Sequence, residues 1–223
     1  MEQIFAGKVY EILPTTNGII FSYLNKELED GAVEVSYRMI SFDNRRVTDV
    51  AKNIYMISKF GNGYKAVEGY CENYITSKSI LIPGGKVFLL HEDGTARLVD
   101  SDGETLWVGS FVYRNFVPSD VLLFGEGLWC CYPDADALIK FSLTNMKQEL
   151  RVGGKNSPFN APCDLFEEEG RVMICNKGSK TLQSIDLADY SILEYETFDE
   201  ALYQYVNYGG YRFVILESGL YVI

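Results

Sequence analysis

The chain is patterned in short hydrophobic runs separated by polar, glycine-rich turns. One pattern recurs: a glycine followed by five or six mostly apolar residues. It stands at Gly18 (Ile-Ile-Phe-Ser-Tyr-Leu), Gly85 (Lys-Val-Phe-Leu-Leu-His), Gly127 (Leu-Trp-Cys-Cys-Tyr-Pro), Gly170 (Arg-Val-Met-Ile-Cys-Asn) and Gly210 (Tyr-Arg-Phe-Val-Ile-Leu). A hydrophobic run precedes each glycine. After a polar turn comes a further run: Val35–Phe42, Ala96–Val99, Leu138–Leu143, Leu182–Leu187 and Leu220–Ile223. Fourth runs follow at Val47–Ala51 or Ile54–Phe60, Thr105–Phe111, Glu149–Val152 and Ile192–Phe198. Short β-prone runs bounded by turn signals predict an all-β chain. No window sustains the 3.6-residue period of an amphipathic helix, so almost no helix is expected.

The last four glycines recur about every 40 residues, the period of a four-stranded propeller blade. Five units then predict one domain over residues 1–223: a five-bladed β-propeller with four antiparallel strands per blade. The first interval is longer, and its excess sits in Asn25–Ala32 and Gly61–Tyr74. These read as a long hairpin loop and a long crossover between blades. Loops of such length are often functional, and insertion drift explains them equally well. The last unit ends at Ile223 without a fourth strand. An unpaired edge is a liability, so Gln3–Ala6 is expected to supply that strand and close the ring.

Two units open on Pro118-Ser119-Asp120 and Pro162-Cys163-Asp164. Pro-x-Asp before an inner strand, glycine before the second and a polar-ended third strand resemble the NHL or YVTN group of propeller repeats. The match is tightest over Gly85–Leu193, and the first and last units lack the Pro-x-Asp. The resemblance implies a fold rather than a function, because such propellers serve as scaffolds, ligand binders, lactonases and glycosidases. It also implies a ligand face over the central channel. There the loops entering the inner strands meet the turns between second and third strands.

On that face the second strands should end at Asn25, His91, Asp134, Asn176 and Glu217. The inner strands should begin near Asp120 and Asp164, with Arg114 and Lys155 on the loops before them. The candidate ligand-binding residues are His91, Arg114, Asp120, Tyr132, Asp164 and Asn176. The opposite face receives tight glycine or acidic hairpins such as Glu167-Glu168-Glu169.

Each candidate has a structural alternative. Polar residues at strand ends are also what turns require. His91-Glu92-Asp93-Gly94 reads as a hairpin turn, and Arg114 either clamps a carboxylate or faces solvent. Asp120 and Asp164 form an acid–base pair suited to glycoside hydrolysis, or each holds a neighbouring blade's backbone. The alternating tyrosines of Tyr203–Tyr211 stack sugars or pack between blades. Oxygen ligands for calcium exist in Asp120, Asp164, Asn176 and Glu217, but no contiguous calcium loop does. A single histidine cannot build a multi-histidine zinc site. No nucleophile elbow, phosphate loop, dinucleotide fingerprint or Cys-x-x-Cys occurs. No catalytic residue, metal or cofactor is therefore expected.

Composition narrows the partners. Of 223 residues 47% are hydrophobic and 14% aromatic, the latter suiting strands. The net charge of -11 excludes sequence-independent binding to a nucleic-acid backbone. No apolar run is long enough to cross a membrane, and the first residues lack a signal-peptide pattern. Five cysteines, at 71, 130, 131, 163 and 175, read as reduced thiols of a cytoplasmic protein. Adjacent strand residues point to opposite faces, so Cys130 and Cys131 cannot chelate one ion together. The expectation is a non-catalytic propeller module that binds a protein, peptide or small polar ligand, with no nucleic-acid or membrane partner. A glycan- or lactone-active hydrolase using channel carboxylates and a sugar-binding lectin are the alternatives.

Overall fold

The computed structural model describes residues 1–29, 33–50, 56–60, 63–67 and 76–223. It is a five-bladed β-propeller. Strand β1 (Glu2–Ala6) comes first and is set aside for the last blade. The first blade is β2 (Val9–Thr15), β3 (Gly18–Glu27), β4 (Val33–Ser41) and β5 (Val47–Val50). Of the two segments considered for the first blade's outer strand, Val47–Val50 pairs with β4.

The other segment goes elsewhere. Strands β6 (Met56–Phe60) and β7 (Gly63–Val67) form a hairpin. Strand β6 pairs in parallel with β8 (Thr76–Ile82), the inner strand of the second blade. The second sheet therefore has six strands, continuing outward through β9 (Lys86–His91), β10 (Thr95–Val99) and β11 (Thr105–Ser110). Strand β7 lies against β2, so the hairpin stands between the inner strands of the first two blades. The segment expected to be a plain crossover thus carries paired strands, and its residues 61–62 and 68–74 lie outside the described part, as does Cys71.

The third blade is β12 (Asp120–Phe124), β13 (Gly127–Tyr132), β14 (Ala137–Ser142) and β15 (Gln148–Gly153). The fourth is β16 (Pro162–Glu168), β17 (Arg171–Asn176), β18 (Thr181–Ile185) and β19 (Ile192–Thr197). The fifth is β20 (Leu202–Tyr208), β21 (Tyr211–Leu216) and β22 (Gly219–Val222), completed by β1 pairing antiparallel with β22. The N-terminal strand closes the ring as expected. The one helical element among the described residues is a short 3-10 turn, Pro133–Ala135. Tight turns join inner to second strands. The Glu169-Gly170 turn places both residues at positive φ, and Gly170, at +75°, meets no steric penalty there.

Every blade packs between two others, so both faces of a central strand are buried and the strand reads as a continuous apolar run. Strand β13 shows the alternation. Leu128, Cys130 and Tyr132 join a cluster with Ile80, Phe88 and Phe111 of the second blade and its following connection. Trp129 and Cys131 face Leu165, Val172 and Ile174 of the fourth blade. The two adjacent cysteines do point to opposite sides. Burial of each such side chain stabilises the fold by about 1.5–3 kcal/mol. A further cluster joins the fourth, fifth and first blades through Phe166, Tyr205, Phe213, Ile12 and Phe21.

Candidate functional site

The interblade connections and the turns between second and third strands share one face, the connection face. The turns between first and second strands lie on the other, the hairpin face. The channel between them is bounded by the five inner strands, with β6 and β7 interposed between β2 and β8.

These inner strands share a local irregularity. A bulge separates Val9 from Glu11, Thr76 from Lys78, Pro162 from Asp164 and Leu202 from Gln204. The third blade begins its strand at the matching point, Asp120, which is paired to Cys131 while the Ser119 N–H donates to the Cys131 carbonyl. Bulges re-aim side chains. The residue after each of the four bulges, and Asp120 at the matching point of the third blade, reaches sideways to a neighbour.

The result is a polar belt around the channel. Asp120 Oδ2 accepts the Leu165 N–H at 2.8 Å. Asp164 Oδ2 accepts the Tyr205 N–H at 3.4 Å. Gln204 Oε1 accepts the Ile12 N–H at 2.6 Å, and its Nε2 donates to the Ile12 carbonyl at 3.3 Å. Lys78 closes the circuit: its Nζ lies 3.1 Å from Glu11 Oε1 and 3.4 Å from Asp120 Oδ1. Asp120, Asp164 and Gln204 are buried. A buried carboxylate is tolerated where it is paired and hydrogen-bonded, and Asp120 meets both conditions.

The bulge residues add a second layer. Ser119 Oγ donates to the Cys163 carbonyl at 3.0 Å. The Cys163 thiol lies 3.4 Å from the Leu202 and Tyr203 carbonyl oxygens of the next blade. Burial first, then the charges of Asp164 and Asp120, push the Cys163 thiol well above the ordinary range. The same causes act on Cys175, while burial and then Asp120 raise Cys130 and Cys131. None of the four described cysteines is in a disulfide. No cluster of metal-ligating side chains exists among the described residues.

The structure separates the six candidates. Asp120 and Asp164 belong to the belt. Asn176 is buried, its Oδ1 accepting the Asn160 N–H at 3.2 Å and its Nδ2 donating to Gln183 Oε1 at 3.0 Å. Tyr132 is enclosed in the core, with its hydroxyl donating to the Phe111 carbonyl. Burial raises that phenol far above its ordinary value. His91 is half-buried at the end of β9, and its carbonyl accepts the Gly94 N–H in the expected hairpin turn. Arg114 is exposed, its guanidinium 5.2 Å from the Tyr113 ring centre. The six do not converge on one point.

Three belt members, Glu11, Lys78 and Gln204, escaped the sequence reading. The signal was a polar residue two beyond Val9, Thr76 and Leu202, matching the Pro-x-Asp spacing. Other side chains mark the connection face more openly. Lys8 Nζ lies 5.2 Å from the Tyr10 ring centre and Lys177 Nζ 4.9 Å from that of Tyr203. On the hairpin face, Glu168 accepts hydrogen bonds from Tyr205 and Asn207. A shallow apolar depression, open to solvent, lies there between the first and fifth blades, lined by Ile4, Phe42, Arg45, Tyr211 and Phe213 among others.

No family model matches the sequence, and no curated protein matches it. Solved structures do. A streptogramin B lyase superposes with a TM-score of 0.63 at 10% identity, covering 98% of this chain and 94% of that one. Virginiamycin B lyase from Staphylococcus aureus gives 0.59 at 10% identity, over 96% and 80% of the two chains. BamB from Moraxella catarrhalis gives 0.52 at 10% identity, over 98% and 87%. Likeness at this identity establishes the propeller fold, and the neighbours' functions differ from one another.

Proposed function

We propose that the chain is a non-catalytic binding module that holds a protein, peptide or small polar ligand over the channel on its connection face. The use already made of the channel carboxylates carries this reading. Asp120 and Asp164, the pair a hydrolase would need, accept backbone hydrogen bonds from the next blade. Asp120 also bears an ion pair with Lys78. A general acid or base needs hydrogen-bond reach to substrate and a free protonation site, and these groups are committed to holding the ring.

The connection face meanwhile presents cations on tyrosines. Lys8 with Tyr10 and Arg114 with Tyr113 are exposed or half-buried, and neither cation has a carboxylate within ion-pair distance among the described residues. The same holds for Lys177 with Tyr203. In a chain of net charge -11 such unpaired cations suit a ligand carrying negative charge. The reduced, buried thiols suit a reducing compartment, the cytoplasm.

The test is fluorescence polarisation with labelled oligo-glutamate, oligo-glutamine and oligo-lysine peptides of equal length. Oligo-glutamate is expected to bind, more weakly to K8E and K177E and unchanged to R212E on the hairpin face. The same preparations are offered a panel of lactones and nitrophenyl glycosides. Turnover that D120N or D164N abolishes would overturn the binding-module reading in favour of the hydrolase.

A further inference from the structure

Tyr113 sits in the connection between the second and third blades. Its N–H donates to the Phe116 carbonyl at 2.9 Å and its carbonyl accepts the Phe116 N–H at 2.8 Å. Between them Arg114 and Asn115 have φ of +50° and +69°. Positive φ at both central residues defines a type I′ turn. Asparagine tolerates that conformation, whereas an arginine pays for it. The turn projects the Arg114 side chain over the ring of the residue before it.

The ring itself is held. It meets the Tyr132 ring edge-on at 5.8 Å between centres. Tyr132 in turn is anchored by its hydroxyl to Phe111. A second guanidinium reaches the same tyrosine from another blade. Arg151, on β15, lies 5.8 Å from the Tyr113 ring centre. Gly154 makes room for it, since a β-carbon there would stand 1.7 Å from Arg151 Nη2.

Both guanidiniums are exposed, and neither has a carboxylate within ion-pair distance among the described residues. Arg38 and Arg45 of this acidic chain are paired, with Asp49 and Glu2, whereas Arg46, Arg171 and Arg212 share with Arg114 and Arg151 the lack of an ion pair among the described residues. Two like charges held on one ring, at most about 11 Å apart, create a local positive field in a net-negative molecule.

We propose that Arg114 and Arg151 form a two-point anchor for an extended acidic peptide segment with carboxylates at alternate residues. In an extended chain residues i and i+2 point to the same side about 7 Å apart, a span below the upper bound that the two ring distances set on the guanidinium separation. Each guanidinium fork matches one carboxylate in a bidentate pair. The inference rests on the reading that the connection face holds the ligand, and it names that ligand's chemistry.

The probe is a fluorescein-labelled heptapeptide with two glutamates separated by one serine. Its controls carry the glutamates side by side, or glutamines in their place. The wild-type chain is expected to prefer the alternating peptide to the adjacent one and to bind the glutamine version least. R114Q and R151Q should each weaken binding about tenfold, with R114K and R151K intermediate because lysine keeps charge without the fork. Both side chains are exposed, so a thermal melt should confirm unchanged folding. Equal binding of the alternating and adjacent peptides, or no binding by the wild type at millimolar protein, overturns the proposal. So does displacement by inorganic phosphate at or below the peptide's own dissociation constant, which marks a phosphate site. Should K8E and K177E weaken binding while both arginine variants are silent, the binding-module reading stands and this anchor falls.

Discussion

Gln204 holds the backbone of Ile12 with both ends of its amide. Its Oε1 accepts the Ile12 N–H at 2.6 Å and its Nε2 donates to the Ile12 carbonyl at 3.3 Å. The two residues lie in the last and first blades, so one side chain spans the seam at which the ring closes. Replacing Gln204 by Leu strands a buried N–H and a buried carbonyl, each costing about 1–3 kcal/mol. Replacement by Glu keeps the acceptor but sets a carboxylate oxygen against the Ile12 carbonyl, and is expected to be worse than Leu. Urea midpoints at neutral pH measure both. A Q204L midpoint equal to that of the wild type removes Gln204 from the closure.

Strand β1 is the second element of that seam. Gly219 pairs with Ala6, and a β-carbon added to it would lie 2.1 Å from the Phe5 carbonyl oxygen. Its φ of +154° adds backbone strain to any substitution. G219A should therefore push β1 off β22, with a loss of about 1–3 kcal/mol and faster amide exchange over residues 2–6. Deletion of residues 1–6 should cost more, because it bares an edge and opens the ring. A deletion variant that melts within about a degree or two of the full chain, where 1 kcal/mol moves the midpoint about 2–4 °C, would count against closure by β1.

Lys78 and Asp120 supply the charged part of the belt. Asp120 is almost wholly buried, so removing Lys78 leaves a buried carboxylate without its cation, a change that costs about 3–5 kcal/mol. K78M is expected to be strongly destabilised. D120N keeps an oxygen for the Leu165 N–H and loses the attraction of Lys78, so it should cost less than D120A. Chemical denaturation of the three variants gives the order: D120N milder than D120A and K78M. If D120A proves the mildest, the backbone contact to Leu165 contributes little.

Alkaline pH should weaken the fold, because its buried thiols and phenols hold their protons more tightly than the unfolded chain does. Burial, then Asp120, raises Cys130 and Cys131, and burial, then Asp164, raises Cys163 and Cys175. Burial raises Tyr132 and, with the Glu168 hydrogen bond, Tyr205. The folded state keeps protons that the unfolded chain releases, at about 8.5 for cysteine and about 10 for tyrosine. Stability from these groups is complete below those values and is lost as pH rises beyond them. Unfolding midpoints at pH 7, 8.5, 9.5 and 10.5 should fall progressively. The same burial predicts slow alkylation by iodoacetamide in the native state and fast alkylation in urea. Fast native alkylation of Cys131 or Cys175 would contradict the packing.

The sequence alone determined the repeat, because strand alternation and turn glycines are local signals. It also determined the all-β class and the number of blades, and it pointed to the N-terminal run as the partner of the last unit's edge, a pairing that the structure contains. The Pro-x-Asp repeats were legible as special, and one of their two readings, a hold on the next blade's backbone, is what the structure contains. The partners of Asp120 and Asp164 were not legible. Leu165 and Tyr205 donate backbone N–H groups about forty residues away, and a backbone donor carries no sequence mark. Lys78, Gln204 and Glu11 were missed for a related reason: they fill the same position as Asp120 with different chemistries, and only the ring shows that position to be one place. Tyr132 and Asn176 follow the strand-end pattern, yet the adjoining blades and connection cover them. Whether a polar strand end faces the channel or the core depends on the packing angle between blades. That angle is set by the summed volumes of side chains from several blades, which only the tertiary structure brings together.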